Sequence, residues 1–296
     1  MIEVHNLEKS FGDKDVLNKL TFSIDKGGIY GLLGPNGAGK STTINILCNL
    51  LDADAGKVTI KENKVSEKTK YLVGIVPQEI SLYKDLTCKE NLMFFARIYG
   101  LYGSKISERA NELIHTFNLK EYINTQVSKL SGGWQRRVNI AVALIHSPSV
   151  LILDEPTAGL DIEARYELWE LITNLRDADV TILLTTHQLE EAERLCSRIG
   201  IIKNGQIMAE GSLRELRAIV PAKQIAILET SDEKTLCQEA ASFGWKHRHY
   251  GGRLTLLLPE QFTLKDIIEK FDGIPLSSVS LREVSLEHVY MELIGK

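Results

Sequence analysis

The sequence has 296 residues, enough for about two domains at roughly 150 residues each. Its 35 basic and 39 acidic residues give a charge of −4, which argues against a general binder of nucleic acid or anionic lipid. Hydrophobic residues make up 44% and charged residues 25% of the chain, a composition that excludes a largely disordered protein.

Apolar runs and cysteine spacing indicate the cellular setting. The longest apolar runs, such as residues 180–184, fall far short of the ~20 residues that span a bilayer, so we expect no membrane-spanning segment. Cys48, Cys88, Cys196 and Cys237 stand far apart, without a Cys-x-x-Cys spacing, which predicts neither a disulfide framework nor a zinc site. These patterns are typical of a protein of the reducing cytosol.

Apolar runs bounded by turn residues predict an α/β domain in the first part of the chain. Strands are predicted at residues 2–7, 20–24, 29–33, 150–153 and 180–184. Between them, from about residue 81 to 121, amphipathic patterns at 91–99 and 106–117 predict a helical insertion. Strands alternating with helical patterns are typical of a parallel sheet with crossover helices.

A second, smaller domain is predicted after Pro221, which follows a helix-like segment at residues 212–218. The expected order is strand 224–229, helix 233–243, hairpin, helix 264–271, strand 277–281 and helix 286–294. The hairpin turns on Gly251 and Gly252, a pair suited to a two-residue turn. Strand, helix, two strands, helix and strand is the order of a ferredoxin-like module, so residues 222–296 are expected to form a small α+β domain.

The strongest local signal matches G-x-x-x-x-G-K-[ST] between a predicted strand and a predicted helix. Its residues are Gly34, Pro35, Asn36, Gly37, Ala38, Gly39, Lys40, Ser41 and Thr42. Glycines let backbone N–H groups and the helix N-terminus point at a triphosphate. Lys40 is expected to reach the β- and γ-phosphates, and the Ser41 hydroxyl to bind Mg²⁺. The alternative is a glycine-rich turn without a ligand, but such a turn would not need to match all the specified positions of the pattern, as this sequence does.

Two adjacent carboxylates, Asp154 and Glu155, follow the predicted strand at residues 150–153. In open parallel sheets, ligands bind at the carboxyl ends of the strands. Asp154 is suited to hold Mg²⁺, usually through water, and Glu155 to polarise the water that attacks the γ-phosphate. Such a pair also occurs in solvated loops, but the phosphate loop upstream favours the catalytic interpretation.

A third segment, Ser131-Gly132-Gly133, precedes a helix-like run at residues 138–145. Ser131 is a good helix cap, and the glycines leave backbone N–H groups open to an anion. Taken alone, such a sequence is a common cap. Between the phosphate loop and the carboxylate strand, however, residues 130–133 resemble the signature motif of the ATP-binding subunits of ABC transporters.

The resemblance covers about residues 1–218. It implies an α/β P-loop NTPase of the ABC type, with a helical subdomain at about residues 81–145, that binds ATP and Mg²⁺ and hydrolyses ATP. The appended α+β domain at residues 222–296 lies outside it. Glu155, His187 and Lys40 are the catalytic residues that the resemblance implies at matching positions.

The resemblance also implies binding roles for single residues. Phe11 would stack on adenine, and Gln78, after an apolar strand at residues 73–76, would touch Mg²⁺ or the attacking water. His187 would reach the γ-phosphate and orient the water of Glu155. Asp161 would help to position the opposite subunit. As isolated residues, a histidine or an aromatic is more often structural, so these roles follow from the resemblance alone.

Two copies, or two related chains, are implied because the sequence holds one set of motifs. In the family, each ATP lies between the phosphate loop of one subunit and the signature motif of the other, here Ser131, Gly132 and Gly133. The sequence departs from the common pattern at Trp134, where glutamine is frequent, and at Ile162, where proline is frequent. Neither change removes a catalytic group.

Residues 82–100 resemble the subfamily that energises multidrug, antibiotic and polysaccharide exporters, as does the closing Ser-Leu-Glu-x-Val pattern at residues 285–289. The resemblance therefore implies export through a separate membrane permease, with this chain bound peripherally on the cytoplasmic side and no nucleic acid as partner. Two alternatives are a soluble ABC-type ATPase acting on nucleic acid or ribosomes, and a regulatory binder that does not hydrolyse ATP. The first typically has fused ATPase units or a basic surface, and the second would lack Glu155 or His187.

Overall fold

The protein is described by a computed structural model over residues 1–177 and 180–294. Its contacts divide the chain into two compact units, Met1–Glu210 and Gly211–Lys296. No described helix combines the length and apolar character that crossing a bilayer requires.

Strands and helices alternate along the first unit. In chain order they are β1 (Ile2–Phe11), β2 (Lys14–Ile24), β3 (Ile29–Leu33), α1 (Lys40–Leu47), β4 (Ala55–Ile60), β5 (Asn63–Lys64), β6 (Val73–Val76), α2 (Cys88–Ile98), α3 (Ser104–Thr116), α4 (Gly132–Ala143), β7 (Val150–Asp154), α5 (Ile162–Asp177), β8 (Thr181–Thr186), α6 (Leu189–Leu195), β9 (Arg198–Lys203) and β10 (Gln206–Gly211). The predicted strands are confirmed, with bounds that differ by a few residues, and α2 and α3 lie where the helical insertion is predicted. The strand predicted at 20–24 begins earlier, at Lys14, because it pairs with β1 in a hairpin.

Two sheets organise this unit. One is antiparallel, with strand order β2-β1-β4-β5, and the other has the order β10-β9-β3-β8-β7-β6. The strands β9, β3, β8, β7 and β6 run parallel. Every residue of β3 and β8 is buried, as in sheets covered on both faces. Their carboxyl ends, and those of β6 and β7, therefore meet at one edge.

The helical insertion is anchored by its first helix. Thr87 caps α2: its hydroxyl accepts a hydrogen bond from the Glu90 amide at 3.2 Å, and Glu90 accepts one in return from the Thr87 amide at 2.8 Å. The buried Asn91 side chain donates to the carbonyls of Tyr83 and Thr87, both at 3.0 Å. This amide holds the loop before α2 against the helix.

The second unit contains α7 (Leu213–Arg217), β11 (Gln224–Thr230), α8 (Glu233–Ser242), β12 (Lys246–Tyr250), β13 (Arg253–Leu258), α9 (Leu264–Lys270), β14 (Leu276–Arg282) and α10 (Leu286–Ile294). Its antiparallel sheet has the order β12-β13-β11-β14. Gly251 and Gly252 have φ of +57° and +78°, which suits the predicted two-residue turn between β12 and β13. The core packs around Trp245 and Phe271.

His146 joins the end of α2 to the sheet of the first unit. Its ring stacks on Tyr99 with centroids 3.8 Å apart, and Nε2 lies 3.2 Å from the Val73 carbonyl oxygen of β6. Burial lowers the pKa of His146 from its usual 6.5 to about 4, and the positive charge of Arg109 adds to the shift, which the Val73 carbonyl opposes. The imidazole is therefore neutral in the folded chain at neutral pH.

The lowered pKa of His146 predicts acid sensitivity. Because the unfolded chain takes up this proton first, the free energy of unfolding should fall by about 2 kcal/mol as the pH drops from about 6.5 towards 4. His146→Gln, which does not titrate, should flatten this part of the pH profile in urea unfolding. His115→Gln, at an exposed position of α3, is the control and should leave the profile unchanged. Equal slopes for His146→Gln and wild type would contradict the prediction.

Candidate functional site

The loop between β3 and α1 requires glycine at two positions where other chain segments approach. A Cβ atom on Gly34 would lie 2.4 Å from the carbonyl oxygen of Ile202. Gly39, which directly precedes α1, has φ of +109°, and a Cβ there would lie 2.6 Å from the Leu17 side chain. Only glycine fits both the space and the backbone conformation. Because Gly34 and Gly39 have no side chain, the loop can approach Ile202 and Leu17 this closely.

Lys40 folds back into this loop. Its Nζ donates to the carbonyl oxygens of Gly34 at 2.7 Å and Pro35 at 3.1 Å, and lies 3.9 Å from Oε1 of Glu155. The residue is only 6% exposed. Burial lowers the pKa of Lys40, while the negative charges of Glu155 and Asp154 raise it. A positive charge thus lies at the floor of the loop, on the side that faces the carboxylates.

The two carboxylates differ in their surroundings. Asp154 ends β7, and its Oδ1 accepts a hydrogen bond from the hydroxyl of Thr185, its partner across the pairing of β7 with β8. Glu155 follows with φ of +48° and is 7% exposed. A positive φ is uncommon for glutamate, and the backbone at Glu155 therefore departs from the extended conformation of β7. The two carboxylates therefore occupy separate places at the sheet edge.

Glu155 is held by two side chains from neighbouring loops. His187 Nδ1 donates to Oε1 at 2.9 Å, and Gln78 Nε2 donates to Oε2 at 3.2 Å. His187 itself is half exposed. The structure therefore brings together Lys40, Gln78, Glu155 and His187, as expected from the sequence. A carboxylate fixed in this way is placed to accept a proton from a bound water.

A cleft of about 420 Å³ lies above the loop. It is lined by Lys14, Val16, Asn36, Gly37, Gly39, Lys40, Ser41, Thr42, Gln78 and Glu155. Sequence reasoning missed Lys14 and Val16, because a hairpin brings β2 to the loop from a distance in the chain. Phe11 is 52% exposed and pairs with Lys14 across the hairpin, next to the cleft.

The segment at the start of α4 lies outside the lining of this cleft. Ser131 occupies the N-cap position of α4, as expected, but its side chain makes no capping hydrogen bond. The hydroxyl is not engaged by the helix that follows it. Gly133 approaches α5 so closely that a Cβ atom would lie 2.9 Å from Cβ of Ala164. Asp161 caps α5, accepting a hydrogen bond from the Ala164 amide at 2.8 Å.

Trp134, at the position where the sequence departs from the common motif, packs against other aromatic and basic side chains. Its ring centroid lies 4.3 Å from that of Tyr122, and the Arg137 guanidinium lies 4.4 Å from the Trp134 ring centroid. Arg137 also pairs with Glu167 of α5. Trp134 thus extends the packing between α4 and the preceding segment.

A buried carboxylate that sequence reasoning missed supports the turn after Glu155. Glu191 of α6 is fully buried, and its Oε1 accepts hydrogen bonds from the Thr157 hydroxyl at 2.7 Å and from Trp169 Nε1 at 3.2 Å. The only sequence signal was a glutamate on the apolar side of a short helix. Through these contacts α6, which follows His187, is tied to the segment that follows Glu155.

Known proteins resemble the chain over its whole length. The family model described as ABC transporter matches residues 17–158. The linearmycin resistance ATP-binding protein LnrL of Bacillus subtilis is 35% identical, covering 100% of this chain and 99% of its own length. The Nod factor export ATP-binding protein I of Burkholderia orbicola is 37% identical, covering 100% of this chain and 97% of its own.

Solved structures match about three quarters of the chain. An ATP-binding subunit of an ABC transporter aligns with a TM-score of 0.67 and 32% identity, over 74% of this chain and 92% of its own. A dimeric ATP-binding cassette, in a post-hydrolysis state with ADP and Pi, aligns with a TM-score of 0.64 and 28% identity, over 72% of this chain and 98% of its own.

The position of Lys40 predicts a loss of nucleotide affinity when its charge is removed. Lys40→Ala should weaken ATP binding at least about tenfold in calorimetric titration, because a charged hydrogen bond to phosphate contributes about 1.5–3 kcal/mol. Lys68→Ala, at an exposed position outside the cleft, is the control and should bind like wild type. An unchanged Kd in a folded Lys40→Ala protein would contradict the placement of phosphate at this loop.

Proposed function

Because the chain belongs to the ABC transporter family, as one of its ATP-binding proteins, we propose that it hydrolyses ATP to power export through a separate membrane-spanning chain. The observation that supports this most directly is Glu155, buried between Lys40, Gln78 and His187 at the edge of the phosphate-loop cleft. A carboxylate beside the γ-phosphate can act as the catalytic base or orient the attacking water.

In the proposed complex, ATP lies along the cleft with its phosphates in the loop of residues 34–42. Backbone amides, the N-terminus of α1 and the Lys40 ammonium supply the positive potential that a triphosphate requires. Phe11 offers its exposed ring to the adenine, a position supported by its pairing with Lys14 of the cleft wall. Stacking on an aromatic ring holds the base through its apolar face.

We further assign Mg²⁺ to Ser41, Gln78 and Asp154. The described residues contain no group of three or more histidine, cysteine or acidic side chains that could hold a metal. The proposed site contains one carboxylate, that of Asp154, and Mg²⁺ is commonly bound through one or two carboxylates, with phosphate oxygens and water completing its shell. When bound, the ion would neutralise charge that develops on the phosphates.

The protein's own residues then divide the work of hydrolysis. Glu155 accepts the proton of the attacking water, and His187, through its hydrogen bond to Oε1, fixes the direction in which that carboxylate points. Lys40 stabilises negative charge on the transferred phosphoryl group, because its ammonium is already placed in the loop and need not reorganise. Asp154 is kept apart from this step by its bond to Thr185.

Glu155→Gln should bind ATP and fail to turn it over. The amide keeps the size of the side chain but cannot accept the proton, so kcat should fall about 10²–10⁴-fold in a steady-state ATPase assay while ATP is retained. Glu163→Gln, at an exposed position of α5, is the control and should keep wild-type turnover. Normal turnover by Glu155→Gln would remove Glu155 from the catalytic role.

A second ATP-binding subunit is part of the proposal, as a homodimer or heterodimer. Ser131, Gly132 and Gly133 lie outside the cleft lining of their own chain, and the Ser131 hydroxyl does not cap α4. These groups are therefore available to the nucleotide of a partner, with Asp161 helping to position the two subunits. The dimeric cassette among the similar structures supports this arrangement. ATP would close such an interface and hydrolysis reopen it.

We assign the permease contact to the surroundings of α2 and the chain to the cytoplasmic side of the membrane. Tyr83 and Phe94 form part of an aromatic group there, with ring centroids 4.7 Å apart, and Tyr83 is half exposed. The two relatives are named for different compounds, linearmycin and Nod factor, which fits a cargo chosen by the membrane chain.

For the second unit we propose a ferredoxin-like arrangement, with the ATPase domain ending near residue 218 and the appended domain beginning near 222. The strand order β12-β13-β11-β14 and the helices α8 and α9 between strands support it. The contact boundary at Gly211 differs from this estimate because α7 packs on α10.

The export proposal predicts a membrane partner. The tagged chain, purified from detergent-solubilised membranes of its own cells, should retain a polytopic membrane protein, and that protein should stimulate its ATPase activity. Glu155→Gln should retain the same partner without stimulation, which separates docking from turnover. Tight RNA binding with a steep dependence on salt concentration, and no membrane partner, would overturn the proposal.

A further inference from the structure

Arg136 of α4 is a buried cation that contacts backbone carbonyls. The residue is 4% exposed. Its Nη1 donates to the carbonyl oxygen of Pro77 at 2.8 Å, and its Nη2 donates to that of Gln78 at 2.6 Å. Its Nε has no hydrogen-bond partner among the described residues. The two bonds join α4 to the segment that carries Gln78.

Burying this guanidinium costs free energy, and the need to fill space does not explain why a charged side chain lies here. Removing a cation from water costs several kcal/mol, and an apolar side chain could fill the same volume without that cost. Burial lowers the pKa of Arg136, an effect that the negative charges of Asp154 and Glu191 oppose. What the guanidinium adds is a rigid fork of donors, which here spans two successive carbonyls.

The contact connects two parts of the proposed ATPase site. Gln78 donates from its side chain to Oε2 of Glu155 at 3.2 Å, while its carbonyl is held by Arg136. Arg136 lies four residues after Gly132, or ~6 Å along the helix. Hydrogen bonds therefore lead from α4, through the backbone at Gln78, to the carboxylate of Glu155.

We propose that Arg136 is a positioning residue that fixes the Gln78 segment to α4 and so sets where the Gln78 amide lies relative to Glu155. The inference rests on the proposed function, since it affects hydrolysis only if Glu155 accepts the proton of the attacking water. Two short bonds to successive carbonyls resist both sliding and rotation of the segment.

A double-mutant cycle on the full-length chain tests this role. Arg136→Lys keeps the charge but cannot donate to both carbonyls in the same fork geometry. It should lower kcat for ATP about tenfold and change KM less than about twofold, because the phosphate loop is untouched. In a Gln78→Ala background, the same substitution should lower kcat less than about twofold, because the side chain that it positions is gone.

Arg137→Lys is the matched control, one residue along the same helix. Arg137 contacts Trp134 and Glu167 rather than the Gln78 segment, so its effect on kcat should be the same in both backgrounds. Thermal unfolding of each variant confirms that it is folded. If Arg136→Lys does not fold, Arg136→Gln, which keeps an amide donor, replaces it in the same cycle.

The outcomes separate this inference from the proposed function. Equal losses of kcat from the Arg136 substitution in the wild-type and Gln78→Ala backgrounds would overturn the positioning role. So would a rise in KM as large as the fall in kcat. A folded wild-type chain that does not turn over ATP, or a fully active Glu155→Gln, would instead overturn the proposed function itself.

Discussion

A buried pair of opposite charges organises the edge of the parallel sheet. The Lys40 ammonium lies 3.9 Å from the Glu155 carboxylate, and both residues are almost fully buried. A buried ammonium is stable only where other groups compensate the water it has lost, and the carbonyls of Gly34 and Pro35 do so here. The phosphate loop is thereby closed around its own lysine. Gly39 makes this closure possible, because no side chain fits between it and Leu17.

The register of the parallel strands decides which loops meet at that charge pair. Asp154 ends β7 opposite Thr185 of β8, so that Glu155 and His187 emerge side by side from adjacent strands. The strand β6 pairs on the other side of β7, and the segment after it delivers Gln78. Gln78, Glu155 and His187 therefore come together because the strands that precede them end at the same edge of the sheet.

Helices outside the cleft lining add a different kind of constraint on the segments around the site. Arg136 reaches from α4 to the backbone at Gln78, and Glu191 of α6 holds the turn at Thr157. In each case a buried charged side chain holds one loop in place: Arg136 holds the segment at Gln78, and Glu191 holds the turn at Thr157. Such contacts are costly to form, but once all their partners are in place they hold the segment rigidly.

The sequence by itself determined the phosphate loop, the Asp154–Glu155 pair and most of the strands, because glycine patterns and apolar runs act over a few residues. It also predicted the order of strands and helices in the second unit, where the turn at Gly251 and Gly252 is a local signal. Only the tertiary structure decided that Lys14 lines the cleft, that the Ser131 hydroxyl does not cap its helix, and that Arg136 binds two carbonyls. The cleft and carbonyl contacts join segments distant in the chain, and the direction of a hydroxyl depends on geometry that no spacing of residues encodes.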